Sequence, residues 1–133
     1  MENSAPAAGT LRILAIEDDK FLRELLVGKL IAEGHQVTTA TNGKEAVAAL
    51  ANPVPDLVLL DLLLPDLSGF EILEQLRAHE GWKTVPVIIL SNLDQKEDLD
   101  RAQKLGVTDF MIKANFSLNE IIARIKKISP HSA

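Results

Sequence analysis

The chain is expected to fold as an open parallel α/β sheet covered by helices on both faces. Three observations predict this: short continuous apolar runs, segments of helical periodicity between them, and start and stop signals at the joins. The runs fall at 11–16, 36–40, 57–60, 85–90 and 110–112, the pattern of strands buried on both faces. Strict alternation of strand and helix calls for crossover connections, and in such sheets functional groups collect beyond the carboxyl ends of the strands.

The first strand, 11–16, leads into a helix whose stripe is Phe21, Leu22, Leu25, Leu26 and Leu30, closed by Gly34. A glycine there takes the left-handed conformation at little cost. After the second strand, Asn42 precedes Glu45 at capping-box spacing, and Ala46, Val47 and Leu50 form the second stripe. Pro53 and Pro55 bar that helix from continuing. The third strand is followed by Ser68 and Glu71, another capping pair, and by Phe70, Leu73 and Leu76. The fourth is followed by Asp94 and Glu97, a weaker stripe of Leu99, Ala102 and Leu105, and Gly106. The last helix is signalled by Ser117 and Glu120 and by Leu118, Ile121, Ile122, Ile125 and Ile128.

One domain accounts for the whole length of 133 residues. It is expected to span 11–128, between a polar tail at 1–10 and a short tail at 129–133. The absence of cysteine excludes a disulfide framework, a thiolate zinc site and a thiol nucleophile. A net charge of −5 argues against a nucleic-acid or anionic-membrane surface, which would need clustered Lys and Arg. Arg124, Lys126 and Lys127 read as one solvated helix face. The first ten residues lack a basic start and an apolar run, so no signal peptide is expected. The stretch 57–64, interrupted by Asp61, is far short of the roughly 20 residues a spanning helix needs. A soluble, cytoplasmic protein is expected.

The chemistry concentrates at the strand ends. Glu17, Asp18 and Asp19 follow the first strand and Asp61 follows the third, so the fold should gather carboxylates on one rim. Carboxylates ~4 Å apart repel by ~4 kcal/mol at an effective dielectric near 20, and they persist together when one is protonated or a cation sits among them. A donor set of oxygens alone, without His or Cys, suits a hard ion such as Mg²⁺ or Mn²⁺. Asp61 sits within LVLLDLLL, where an ionised group without a purpose would be costly. Ser91 and Lys113 end the fourth and fifth strands in the same register. A lysine and a hydroxyl there could neutralise and orient a phosphoryl group transferred to a carboxylate nucleophile. Asp19 is expected to cap the first helix. His35, His79 and His131 are expected at the surface, and Trp82 as packing or a partly exposed cover.

Taken together, ILAIEDD, PDLVLLDLLLPDLSGFEIL, VPVIILS and GVTDFMIK resemble the receiver domain of two-component response regulators, a likeness covering about 11–128. Asp18 and Asp61 lie 43 residues apart, Asp61 and Ser91 30, and Asp61 and Lys113 52, matching the family's order of acidic pair, phosphoacceptor, hydroxyl and lysine. The resemblance implies a flavodoxin-like doubly wound five-stranded parallel sheet of order 2-1-3-4-5 with five helices. It implies Asp61 as phosphoacceptor and Asp18 and Asp61 as direct Mg²⁺ ligands. Glu17 would bind the metal through water and Leu63 through its backbone carbonyl. Ser91 and Lys113 would grip phosphoryl oxygens. The donor would be a sensor histidine kinase or phosphotransfer protein. Ser91 and Phe110 would switch a face made of the fourth helix, fifth strand and fifth helix, which contacts a downstream protein. No direct nucleic-acid or membrane contact is implied, and catalysis would extend only to the domain's own phosphoryl transfer and dephosphorylation.

Four features depart from the common pattern. Ala114 stands where a proline usually follows the lysine, with one extra residue before Phe116, so a trans Lys113–Ala114 bond is expected, with Phe116 stapling the last helix. Asn92 replaces a small residue beside the phosphoryl path. Phe110 replaces the commoner Tyr. Leu63 and Leu93 set apolar side chains beside the site, which points to slow hydrolysis. With no output module after Lys127, the chain reads as a standalone receiver or one cut from a larger regulator or hybrid kinase. A phosphorylation-independent binding module remains an alternative. An aspartate-nucleophile phosphatase of the haloacid dehalogenase type is a weaker one, because Leu63 occupies the second position of its D-x-D motif.

Overall fold

A computed structural model describes residues 10–93, 95–115 and 117–128. The chain alternates strands and helices in the order β1 (Arg12–Ile16), α1 (Lys20–Ala32), β2 (Gln36–Ala40), α2 (Gly43–Ala48), β3 (Leu57–Leu60), α3 (Gly69–Ala78), β4 (Val87–Ser91), α4 (Lys96–Lys104), β5 (Asp109–Ile112) and α5 (Leu118–Ile125). Single 3₁₀ turns follow α2 (Ala49–Ala51) and β5 (Lys113–Asn115). All four pairings are parallel and the strand order is β2-β1-β3-β4-β5. The doubly wound topology expected from the sequence is therefore present.

Alternation along the strands divides the core in two. Leu14, Ile16, Val58, Leu60, Val87 and Ile89 meet α2, α3 and Ala102 of α4 on one face. Ile13, Ala15, Leu57, Leu59, Ile88 and Leu90 meet Leu26 and Leu30 of α1 and Ile121, Ile122 and Ile125 of α5 on the other. Side chains of successive strand residues point to opposite faces, so a strand covered on both sides must be apolar throughout. β3 and β4 are buried at every position.

Local differences from the sequence reading have local causes. β4 begins at Val87 rather than 85, because Pro86 has no N–H to give the ladder, although its carbonyl accepts from Val58 at 2.9 Å. β2 is an edge strand and is not buried on both faces: only Ala40 is fully covered. Phe21 and Leu25 were expected in the buried stripe of α1 but are 74% and 42% exposed. The helix starts at the rim, where its first turn has little sheet beneath it, and the packed row narrows to Leu22, Leu26 and Leu30. α4 begins one residue later than expected. The carbonyl of Gln95 accepts its first helical bonds, and the expected cap, Asp94, lies outside the described residues. His35 is buried, not superficial: its Nδ1 accepts from the N–H of Leu11 at 3.0 Å. His79 is exposed, while His131 lies outside the described residues. Trp82 is 2% exposed, a core residue.

The remaining punctuation follows the sequence. Asp19, Asn42, Ser68 and Ser117 cap α1, α2, α3 and α5, the last two as reciprocal capping boxes. Gly34 and Gly106 hold positive φ of 95° and 72°. Of the expected tails at 1–10 and 129–133, all but Thr10 lies outside the described residues, as does the expected staple Phe116.

Candidate functional site

The carboxyl ends of β1, β3 and β5 deliver Glu17, Asp18, Asp61 and Lys113 to one rim. One carboxylate oxygen from each of Glu17, Asp18 and Asp61 lies within 4.8 Å of the others. Glu17 and Asp61 are buried and Asp18 is exposed, so the cluster opens to solvent along one side. Lys113 Nζ reaches across it, 2.8 Å from Glu17 Oε1 and 3.0 Å from Asp61 Oδ2. Asp61 Oδ1 accepts from the N–H of Leu63 at 3.0 Å. The carboxylate of Asp61 is thus held at both oxygens, one by a cation and one by its own loop. Glu17 Oε2 accepts from the N–H of Asp19 at 3.1 Å.

Burial decides the electrostatics. Desolvation pushes the Glu17 carboxyl up to about 7, and the charge of Asp61 pushes the same way, against Lys113 and the backbone N–H of Asp19. Burial would lower the ammonium of Lys113, but its contacts with Glu17 and Asp61 outweigh that and raise it above its ordinary value. One lysine facing three carboxylates leaves the rim short of positive charge. The buried Oε1 of Glu17 has its ion pair with Lys113 and no further polar partner among the described residues. An oxygen-only donor set with more carboxylates than cations fits a hard divalent cation.

Ser91 closes β4 with no exposed surface, and its Oγ accepts from the N–H of Leu93 at 3.2 Å. Phe110 on β5 is half-buried and packs against the α3 side of the core. The side chain of Leu63 is 53% exposed. The Lys113–Ala114 peptide is trans, as the absence of proline predicts. The 3₁₀ turn Lys113–Asn115 redirects the chain toward α5.

Supporting residues escaped the sequence reading. Arg23, one turn into α1, donates from Nη1 to the carbonyls of Glu17 at 3.0 Å and Asp18 at 3.2 Å, fixing the acidic pair from behind. Asp66 accepts from the N–H groups of Gly43 and Lys44 and so ties the loop after Asp61 to the start of α2. Gly69 has no room for a side chain: a Cβ there would stand 2.5 Å from Leu62 Cα and 2.7 Å from the carbonyl oxygen of Asp61. Its place in SGF before a helix was the one available signal, and it also suits an ordinary cap.

The model of the response regulator receiver domain matches residues 13–126. The transcriptional regulatory protein KdpE of Mycobacterium tuberculosis is 40% identical over 114 residues, 86% of this chain and 49% of that protein. The chain spans about half the length of the curated relatives it matches. Among solved structures, a phosphorylated cyanobacterial phytochrome response regulator superposes with a TM-score of 0.75 at 31% identity, covering 89% of this chain and 90% of that one. The receiver domain of a sensor histidine kinase from Pseudomonas aeruginosa, with magnesium coordinated in its active-site cleft, gives a TM-score of 0.79 at 26% identity, covering 90% and 97%.

Proposed function

Because this chain belongs to the response regulator receiver domain family, we propose that it is a phosphorylation-dependent switch whose phosphoacceptor is Asp61. The observation that carries this is the convergence of Glu17, Asp18, Asp61 and Lys113 on one rim, with the Asp61 carboxylate held between an ammonium and a backbone N–H. In the proposed transfer, an oxygen of Asp61 attacks the phosphorus of a phosphohistidine on a sensor kinase or phosphotransfer protein. The P–N bond breaks, and its electron pair returns to the imidazole, which takes up a proton. Lys113 and Ser91 bind oxygens of the moving group, and the N–H of Leu63 keeps Asp61 aimed.

Asp18 and Asp61 would hold Mg²⁺ directly, with Glu17 through water and Leu63 through its carbonyl. The ion would offset the charge that builds on the phosphoryl oxygens. The reading draws support from the oxygen-only donor set, in which one lysine faces three carboxylates, and from relatives solved phosphorylated and with magnesium. A phosphoryl group on Asp61 then recruits Ser91, and Phe110 follows into the core. The face of α4, β5 and α5 changes and is read by a downstream protein, without direct contact to nucleic acid or membrane. No helix among the described residues is long and apolar enough to cross a membrane. The receiver unit is taken as 11–128 and the setting as the cytoplasm.

Incubation with acetyl phosphate and Mg²⁺, followed by intact mass and peptide mapping, tests this. The expected result is one phosphoryl adduct on Asp61, absent from Asp61→Asn and from samples with chelator. No adduct would favour a phosphorylation-independent binding module, and continuous release of phosphate a phosphatase.

A further inference from the structure

α4 is an unusual covering helix, because its own side chains do little to hold it down. Seven of its nine residues, Lys96, Glu97, Asp98, Asp100, Arg101, Gln103 and Lys104, are polar, and Ala102 is its one buried side chain. A helix normally docks through a wide apolar stripe. Here Leu93 and Leu105 pack against the core at its two flanks, and two arginines hold it by polar contacts. Arg101 of α4 lies with its Cζ 4.4 Å from the centroid of the Phe70 ring on α3, and its Nη2 is 3.0 Å from Glu74 Oε2, also on α3. Arg77, in the last turn of α3, donates to five backbone carbonyls. Nε reaches Leu105 at 2.7 Å and Nη2 reaches Gly106 at 3.0 Å, while Nη1 reaches Trp82, Lys83 and Val85. Leu105 and Gly106 are the C-terminal end of α4, so one guanidinium fastens that end to the loop before β4.

The other end is joined to β4 by a short loop in which Leu93 packs against the core. Gln95, at the N-cap position, makes no side-chain capping bond. The N–H of Leu93 donates to the hydroxyl of Ser91 at 3.2 Å. The helix is therefore pinned at its C-terminus by Arg77, clasped at its middle by Arg101, and tethered at its start through a side chain of the proposed phosphoryl site.

We propose that Arg101 is a latch and Arg77 a pivot. Phosphorylation draws Ser91 from Leu93, and α4 then swings about the Arg77-held end as Arg101 lets go of Phe70 and Glu74. The trigger rests on the reading of Asp61 as phosphoacceptor, whereas the latch rests only on the contacts between α3 and α4. Arg101 is a positioning residue in this account: it touches no reacting atom and sets how readily the output face rearranges.

Amide hydrogen exchange on the full chain, with and without beryllofluoride and Mg²⁺ as the phosphoryl mimic, tests both parts. In the resting protein, Arg101→Gln should speed exchange across 96–104 by roughly five- to tenfold, the combined size of an exposed cation–π contact and an exposed ion pair. Glu74→Gln, which keeps the stacking, should give a smaller rise. The sheet amides of β1, β3 and β4 should stay as they were. In the wild type, the mimic should accelerate the same segment, and in Arg101→Gln it should add little. Unchanged resting exchange in Arg101→Gln, or an equal rise throughout the sheet, would overturn the latch and leave the site reading intact. A protein that takes up the mimic with no response in α4 would overturn the coupling. Failure of the mimic to bind would overturn the site reading and the trigger with it, while faster exchange in the variant would still support the latch.

Discussion

His35 is a buried imidazole whose Nδ1 must accept from Leu11, so its proton sits on Nε2 and the ring is neutral. Protonation would place a second donor against the N–H of Leu11. Burial accordingly lowers its pKa, opposed by the carboxylate of Glu33 nearby. A histidine depressed in the folded state contributes stability that is complete above its unfolded value of about 6.5 and is lost as pH falls through the folded value. Glu17, raised to about 7, acts in the same interval with the opposite sign, since folding favours its protonated form. The wild-type profile therefore mixes the two, and a variant separates them. His35→Asn keeps an acceptor near the position of Nδ1 and removes the titration. In urea unfolding at pH 5.5 and 7.5, it should gain stability relative to wild type at the lower pH. An identical difference at both values would refute the role. The burial of Asp61 was legible because LVLLDLLL leaves an acidic residue nowhere polar to go. That of His35 was not, because its partner is 24 residues away and joins a neighbouring strand.

At the level of elements, strands and caps were legible wherever the signal was local. The capping boxes of α3 and α5 and the glycine stops after α1 and α4 depend on residues a few positions apart. Contacts between elements were not. Nothing in a lone arginine near a helix end announces that Arg77 will collect five carbonyls from two loops. The edge position of β2 likewise follows from the order of the strands, not from their composition. Two glycines make the distinction measurable. Gly28 lies inside α1 with nothing within 4 Å of where a Cβ would stand, so Gly28→Ala should stabilise the protein by ~0.5–1 kcal/mol through helix propensity alone. Gly69 opens α3 against the backbone of Asp61 and Leu62. There the same substitution should cost ~2 kcal/mol or more, because backbone must move to admit the methyl group. It should also slow phosphorylation by acetyl phosphate, since the displaced atoms carry the proposed phosphoacceptor. Thermal melts of the two variants check the signs, and equal shifts would mean that the loop after β3 yields freely.

Across the whole molecule, the site is where the acidic ends of β1 and β3 would repel one another without a cation. Lys113 comes from β5 and bonds to the ends of β1 and β3, although β4 lies between β3 and β5 in the sheet. It spans the sheet rather than one pairing. Its removal leaves two carboxylates buried without their partner, a change that typically costs ~3–5 kcal/mol when a buried ion pair is broken. A divalent ion bound by Asp18 and Asp61 would relieve the same repulsion, so Lys113 and Mg²⁺ answer one deficit of positive charge. Two cations on the same anions repel each other, and each should therefore stabilise the fold more when the other is missing. Lys113→Ala should be strongly destabilised in chelator, and saturating Mg²⁺ should restore a large part of the loss. The gain from Mg²⁺ should exceed that of the wild type by ~1 kcal/mol or more, read from denaturant midpoints at fixed ionic strength. Equal gains in both proteins would place the ion beyond the reach of Lys113 and would count against Asp61 as a shared ligand. A smaller gain in the variant would mean that the lysine builds the metal site instead of competing with it.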